Sequence, residues 1–201
     1  MDNNIREPKQ KRAVEKKEKI LEAGFELICL NGYYNTNTAE IAKKANVSTG
    51  IVYQYFKNKH DILVEAVYKY GDKIFFPMFN IKKIDLKNID KMIREMINNY
   101  IKDHKVSKIA HEEIMSMVHS DHDIASYYYK RELEMTKSIK ELLLENNFKD
   151  NNLDEKIHVI IGMIDNLCHE VTYHKHKEMN YEVMTDIVIE NIKNILKNDL
   201  R

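Results

Sequence analysis

Nine histidines, eight of them beyond residue 100, are the side chains of this 201-residue sequence best suited to metal or acid–base chemistry. His119-x-x-His122 with Asp121 and Asp123 alongside, and Cys168-His169 followed by His174-x-His176, offer the imidazole, carboxylate and thiol donors that hold zinc or a similar ion. Neither spacing is a metal signature, and surface histidines are the simpler explanation of both. A di-metal enzyme built in a helical bundle requires a Glu-x-x-His motif from each of two helices. Glu155-x-x-His158 supplies one, and the sequence holds no second. No metal, cofactor or catalytic residue is therefore expected, and no enzymatic activity.

A different chemistry is written between Asn37 and Phe56. Asn37 is a good N-cap and Glu40 stands three places later, where a capping box needs its acid. Ile41, Ala42 and Ala45 form the apolar stripe of a two-turn helix that stops at Asn46, a residue tolerant of the left-handed backbone. Ser48 caps a second helix over about Thr49 to Phe56, with Val52 and Phe56 four apart on one face. Two helices joined by so short a turn form a helix-turn-helix, whose second helix enters the DNA major groove by its N-terminal end. Thr49, Gly50 and Ile51 then lie nearest the bases. Gln54 suits bidentate pairing with adenine, while Lys59 and the hydroxyls of Thr38 and Tyr55 suit phosphate. Tyr53 and Phe56 can equally serve to pack the small domain.

The rest of the chain must position this pair. With 43% hydrophobic and 32% charged residues, five glycines and two prolines, the composition is that of an all-α protein. Net charge is zero, yet residues 1–60 hold eleven Lys and Arg against seven Asp and Glu, and the remainder hold twenty-one against twenty-five. A basic head on an acidic body confines attraction for DNA to one end. Ahead of the motif, a polar arm carries Pro8, Lys9, Lys11 and Arg12, the basic groups placed to approach phosphate. A helix from Arg12 to Asn31 supports the motif from behind, and a lever helix from Lys59 to about Phe76 stops or kinks at Pro77. Gly71 within the lever allows a bend or a close approach.

Further helices are expected over Leu86 to Lys105, Ile109 to Val118, Asp121 to Asn146, and residues 153–175 and 181–197. The long one should bury Ile124, Ala125, Tyr128, Leu133, Met135, Ile139, Leu142 and Leu143. The last two have more apolar surface than one core can cover. They are assigned to a four-helix homodimer interface, with Gly162 permitting close approach. Met and aromatic side chains are plentiful behind the head, among them Phe75, Phe76, Met78, Phe79, Met92 and Met96. Tyr100, Tyr128 and Met163 are expected among the walls of an apolar or amphipathic ligand site. Cys29 and Cys168 lie in apolar helical runs and suggest no disulfide. The absence of an N-terminal apolar region and of any stretch near the roughly 18 uncharged residues needed to cross a bilayer points to a cytoplasmic protein with no membrane partner.

The run Ile20 to Leu27, then Gly32-Tyr33, Thr36, Ile41-Ala42, Ala45 to Ser48, Gly50, Val52-Tyr53, Tyr55-Phe56, Lys57, Lys59 and Leu63 resembles the N-terminal domain of the TetR family of transcriptional regulators, over about residues 12–63. The resemblance implies a three-helix DNA-binding domain with a helix-turn-helix, followed by a helical ligand-binding and dimerisation bundle, about nine helices in all. The corresponding domains are 1–57 and 58–201. It implies a homodimer on a palindromic double-stranded operator, with a repressor's sign, usually released by a small-molecule effector, here unknown. Thr38, Ser48, Thr49, Gly50, Ile51, Tyr53, Gln54, Tyr55 and Lys59 occupy positions that in the family commonly touch DNA. Three residues depart from its pattern: Asn46 replaces a glycine, Thr49 a lysine, and Ile51 a polar residue. Fewer hydrogen bonds to bases then remain, and contact with thymine methyls gains weight. Two alternatives stay open, a DNA-bound adaptor that recruits a protein without a small ligand, and a metal-responsive regulator using the C-terminal histidines.

Overall fold

A capping box opens the second helix. In the computed structural model, which describes residues 11–75, 81–103, 106–148 and 151–197, Asn37 Oδ1 accepts from the backbone N–H groups of Ala39 and Glu40, and Glu40 returns a carboxylate to the Asn37 N–H. The helices are α1 (Lys11–Asn31), α2 (Thr38–Lys44), α3 (Thr49–Tyr55), α4 (Lys59–Tyr70), α5 (Asp72–Phe75), α6 (Ile89–Asp103), α7 (Lys108–Ser120), α8 (His122–Glu145), α9 (Leu153–Tyr173) and α10 (Tyr181–Lys197). No strand occurs among the described residues, and the fold is all-α. None of the described helices is long and apolar enough to cross a membrane. The expected arm with Pro8 and Lys9, and the expected stop at Pro77 with Phe76, Met78 and Phe79, lie outside the described residues.

The chain divides into two compact units. The first comprises Met1–Phe75 and Lys105–Tyr129, the second Phe76–His104 and Lys130–Arg201. The first unit therefore extends beyond the head expected at 1–57, taking in α4, α5, α7 and the start of α8. Its head is packed around Ile20, Leu21, Ala23, Ile41, Ala42, Ala45, Val52, Tyr55, Phe56, Ile62 and Ala66. Phe56 and Ile62 are almost fully buried, which makes their truncation costly, on the order of 2–5 kcal/mol.

Local chemistry decides where these helices stop. Asn46 has φ 55, and the bonds Asn46 N–H to Lys43 O and Val47 N–H to Ala42 O close α2 as a Schellman motif. The same device ends α8, with Asn147 at φ 63 and Phe148 N–H on Leu143 O. After α1 the chain turns at Gly32, at φ 87, where an added Cβ would meet Glu113 Oε2 at 2.6 Å. The lever is shorter than expected, because α4 ends at Tyr70 and Gly71 divides it from α5. Gly71 is there for proximity, since a Cβ on it would sit 2.6 Å from the Tyr127 ring.

In the second unit Ile93, Ile97, Tyr100, Leu143, Leu153, Ile157, Ile161, Ile164, Leu167, Ile189 and Ile192 form a buried interior from α6, α8, α9 and α10. One expectation fails on α8: Leu133 is 57% exposed, while Thr136 is buried with its hydroxyl satisfied by Glu132 O. The hydroxyl's bond to the preceding turn removes the cost of burying it, so apolar spacing alone misplaced that face.

Candidate nucleic-acid interface

Seven residues carry the candidate site, and α2, the turn and α3 set their places. Ser48 Oγ accepts from the Ile51 N–H at 3.4 Å, so the second helix starts where its cap dictates. Val52 and Tyr55 point into the head core, which turns Tyr53 and Gln54 outward. Ser48, Gly50, Tyr53 and Gln54 are exposed, and Thr38, Thr49 and Ile51 are half-buried. A Cβ on Gly50 would meet only Ser48 Oγ, at 3.9 Å, so nothing among the described residues crowds the front of α3. Ile51 packs against the edge of the head core, so only part of its side chain is left to face outward.

Tyr53 and Thr38 share a hydrogen bond the sequence did not advertise. The phenol oxygen of Tyr53 and Oγ1 of Thr38 lie 3.0 Å apart, across the two helices of the motif. Tyr53 is 44% exposed and belongs to the outer surface rather than to the packing of the small domain. Phe56, at 2%, is core.

Two side chains expected at phosphate are turned elsewhere. Tyr55 is 6% exposed and its ring sits in the head core, so most of this side chain serves packing. Lys59 Nζ donates to the carbonyls of Tyr33 at 2.5 Å and Thr36 at 2.7 Å, and lies 4.1 Å from the centre of the Tyr33 ring. Burial holds this ammonium below the ordinary lysine range, with the Glu113 carboxylate pulling the other way. The spacing that places Lys59 at the start of α4 also places it under the α1–α2 loop, whose carbonyls need a donor. The loop is held from its other side as well, where Glu113 Oε2 accepts from the Tyr34 N–H at 3.1 Å. Lys43 and Lys57 are exposed on either side of the turn and α3; sequence reasoning passed over the first and used the second only for the family resemblance.

Residues 20–66 match the family described as bacterial regulatory proteins, tetR family. The head belongs to the TetR family. The fatty acid metabolism regulator protein of Bacillus subtilis is 48% identical over 56 residues, which is 28% of this chain and 28% of that protein. The HTH-type transcriptional regulator HbdR of Aromatoleum sp. is 47% identical over 49 residues, 24% of this chain and 21% of its own length. The chain thus spans about a quarter of the length of these curated relatives, both of which are regulators by name. A crystal structure from Mesorhizobium loti assigned to the TetR family superposes with a TM-score of 0.70 at 16% identity, over 94% of this chain and 98% of that one. The TetR-type head thus continues into a body of the same all-α fold.

In the second unit a wholly apolar cavity of about 60 Å³ is lined by α6, α8, α9 and α10 residues including Met92, Ile93, Met96, Ile139, Ile161 and Ile192. None of the expected ligand walls lines it. Tyr100 is buried on α6 and Met163 half-buried on α9, both in this unit, whereas Tyr128 belongs to the first unit, its ring 5.2 Å from that of Phe75. Cys168 is buried, and desolvation, then the nearby Asp165 charge, push its thiol up to about 12. A thiol so far from ionisation is a poor metal ligand, which weakens the Cys168-His169 reading.

Proposed function

We propose that this chain is a transcriptional regulator, a repressor by its family's default, that binds a palindromic operator as a homodimer and is released by a small ligand in its second unit. The observation that carries the reading is the capped turn between α2 and α3, which leaves Ser48, Gly50, Tyr53 and Gln54 facing outward from a packed head. In this reading Gln54 pairs with adenine, Thr49 and Ile51 meet base edges and thymine methyls, and Thr38, Ser48 and Tyr53 hold phosphate. Lys59 and Tyr55 act by shaping the head.

The homodimer rests on α9 and α10. Val159, Val183 and Ile187 are about half exposed, and Gly162 stands in open space, leaving apolar surface that a second copy would cover. A monomer by light scattering at micromolar concentration would reject that interface. Paired recognition helices must then stand about 34–36 Å apart, or a multiple, and a ligand acts only through unequal affinity for two such spacings.

For the ligand, the apolar cavity with Met92 and Met96 in its wall supports a hydrocarbon-rich molecule, with Tyr100 and Met163 on the same helices. The similarity to the fatty acid metabolism regulator covers 56 residues, and the choice of ligand rests on the cavity alone. A second reading, an adaptor without a small ligand, is favoured by the cavity's size, since ligand pockets run to about 300–1,000 Å³. Selection of duplexes from a random pool at moderate salt tests the common core of both readings. Enrichment of half-sites spaced by about 10–10.5 base pairs is expected, and a pool with no sequence preference would end the proposal.

A further inference from the structure

The aspartates singled out beside His119 and His122 do gather a histidine, but it comes from another helix. One ligand atom each from His60, Asp121 and Asp123 lies within 4.8 Å of the others, and His119 and His122 stand exposed outside this group. His60 is the second residue of α4, Asp121 precedes α8, and Asp123 lies in the first turn of α8. We propose that these three side chains form a site for a divalent first-row metal, Zn²⁺ or Mn²⁺, that fastens the start of α4 to the α7–α8 junction.

The donor set and its support fit such an ion. One imidazole and two carboxylates make a mixed nitrogen–oxygen set, which suits Zn²⁺ and Mn²⁺ better than a thiolate metal or an all-oxygen one. His60 Nε2 and Asp121 Oδ2 share a hydrogen bond of 2.6 Å, so an ion entering here replaces the proton between two donors that are already adjacent. Bond lengths of about 2.0–2.2 Å require donors roughly 3.0–3.4 Å apart, which the site reaches if the first pair opens slightly and Asp123 swings in. Asp121 cannot wander, because its other oxygen accepts from the Asp123 and Ile124 N–H groups at 3.0 and 3.1 Å. That is the outer support a ligating carboxylate needs. Asp123 is exposed and makes the third donor a mobile one.

An entry path is present. A groove of about 320 Å³ is lined by His60, Asp61, Val64, Glu65, Tyr68 and Asp123, and its acidic rim attracts cations. Three protein ligands leave a coordination position open toward this groove for water. Only residues 56–58 separate α3 from α4, so an ion here restrains the helix next to the one that faces DNA.

The test uses full-length protein without a histidine tag, stripped with EDTA and titrated with Zn²⁺, Mn²⁺ and the spectroscopic probe Co²⁺. The expected result is one saturable ion per chain, a Co²⁺ absorption of nitrogen–oxygen ligation, and a melting temperature that rises with metal. Asp123→Asn, at an exposed position, should leave the fold intact and weaken binding roughly tenfold or more, and His60→Gln should do the same. His119→Gln with His122→Gln should leave binding unchanged. No saturable binding, full affinity in Asp123→Asn, or loss of binding in the His119/His122 variant would each overturn the proposal. DNA is absent from every arm, so failure here is separate from failure of the operator reading.

Discussion

Replacing Lys59 by methionine separates a structural clamp from a contact with DNA. The ammonium holds two carbonyls of the α1–α2 loop, of Tyr33 and Thr36, and stacks on the Tyr33 ring. Hydrogen bonds to a charged group contribute about 1.5–3 kcal/mol each, and the ring contact about 0.5–1 at a partly open site. Lys59 is only part-buried, so solvent screening reduces that total, and a net loss of about 2–3 kcal/mol is expected. Methionine reproduces the apolar stem as far as Cε and lacks the ammonium, so the two carbonyls are left without their donor. Urea denaturation should show a lower midpoint at unchanged slope. The second measurement is DNA affinity against salt. Removing a phosphate contact lowers the slope of log K against log salt by about 0.9, whereas removing a clamp leaves it where it was. Stability unchanged within about 0.5 kcal/mol, together with a slope reduced by nearly one, would refute the clamp and return Lys59 to the phosphate backbone.

Three other outcomes can be checked as directly. Gln54→Ala should cost roughly 1–3 kcal/mol on the selected operator and much less on random duplex, and equal losses on both would contradict base reading by this side chain. Asn37→Ala removes the acceptor of two N–H bonds and should destabilise the protein by about 1 kcal/mol in chemical denaturation, with Asn37→Asp near wild type. Burial, then Glu26 for Cys29 and Asp165 for Cys168, push both thiols to about 12, so an aromatic disulfide reagent should modify neither in the native protein at pH 8 and both after denaturation.

Asp165 supplies a pH dependence. Its carboxyl is raised above the ordinary 3.8, first by burial and then by Glu132, with His169 opposing. An acid whose folded value is raised takes up its proton more readily in the folded state. Stability from this group is therefore full below about 3.8 and falls as pH rises toward the raised value. Asp165→Asn should raise the melting temperature at pH 7 and change it little at pH 4. A lower melting temperature at pH 7 would mean that the contact with His169, 3.6 Å away, outweighs burial.

The helices of the head were legible because short-range chemistry marks their ends. Asn37 with Glu40, Asn46 and Ser48 each act within four residues of themselves, and each does in space what its type suggests. The surroundings of Tyr55 and Lys59 were not legible because they depend on partners far away in sequence. Nothing near Lys59 announces that carbonyls of residues 33 and 36 will lie above it, and only the packing of α4 on α1 brings them together. The Thr38–Tyr53 bond is of the same kind, fifteen residues apart and visible only once α2 and α3 have crossed. His60 was missed beside Asp121 for a similar reason, since sixty-one residues separate them, whereas His119 and His122 drew attention by proximity in the chain.

These long-range polar bonds also explain why residue 57, where the DNA-binding motif ends, is no boundary for packing. Ser107 N–H donates to Cys29 O at 2.9 Å, Tyr34 N–H to Glu113, and Tyr127 Oη–H to Asp72 at 2.6 Å, while His60 faces Asp121. Apolar surfaces can slide past one another at little cost, but hydrogen bonds weaken steeply once distance or angle departs from the optimum. With such bonds placed at the α1 end, the α1–α2 loop, the first turn of α4 and the start of α5, α7 and the start of α8 cannot shift without either breaking several of them or carrying the head along. Within the first unit, α7 and the start of α8 are thus fastened to the head by directional bonds as well as by apolar packing.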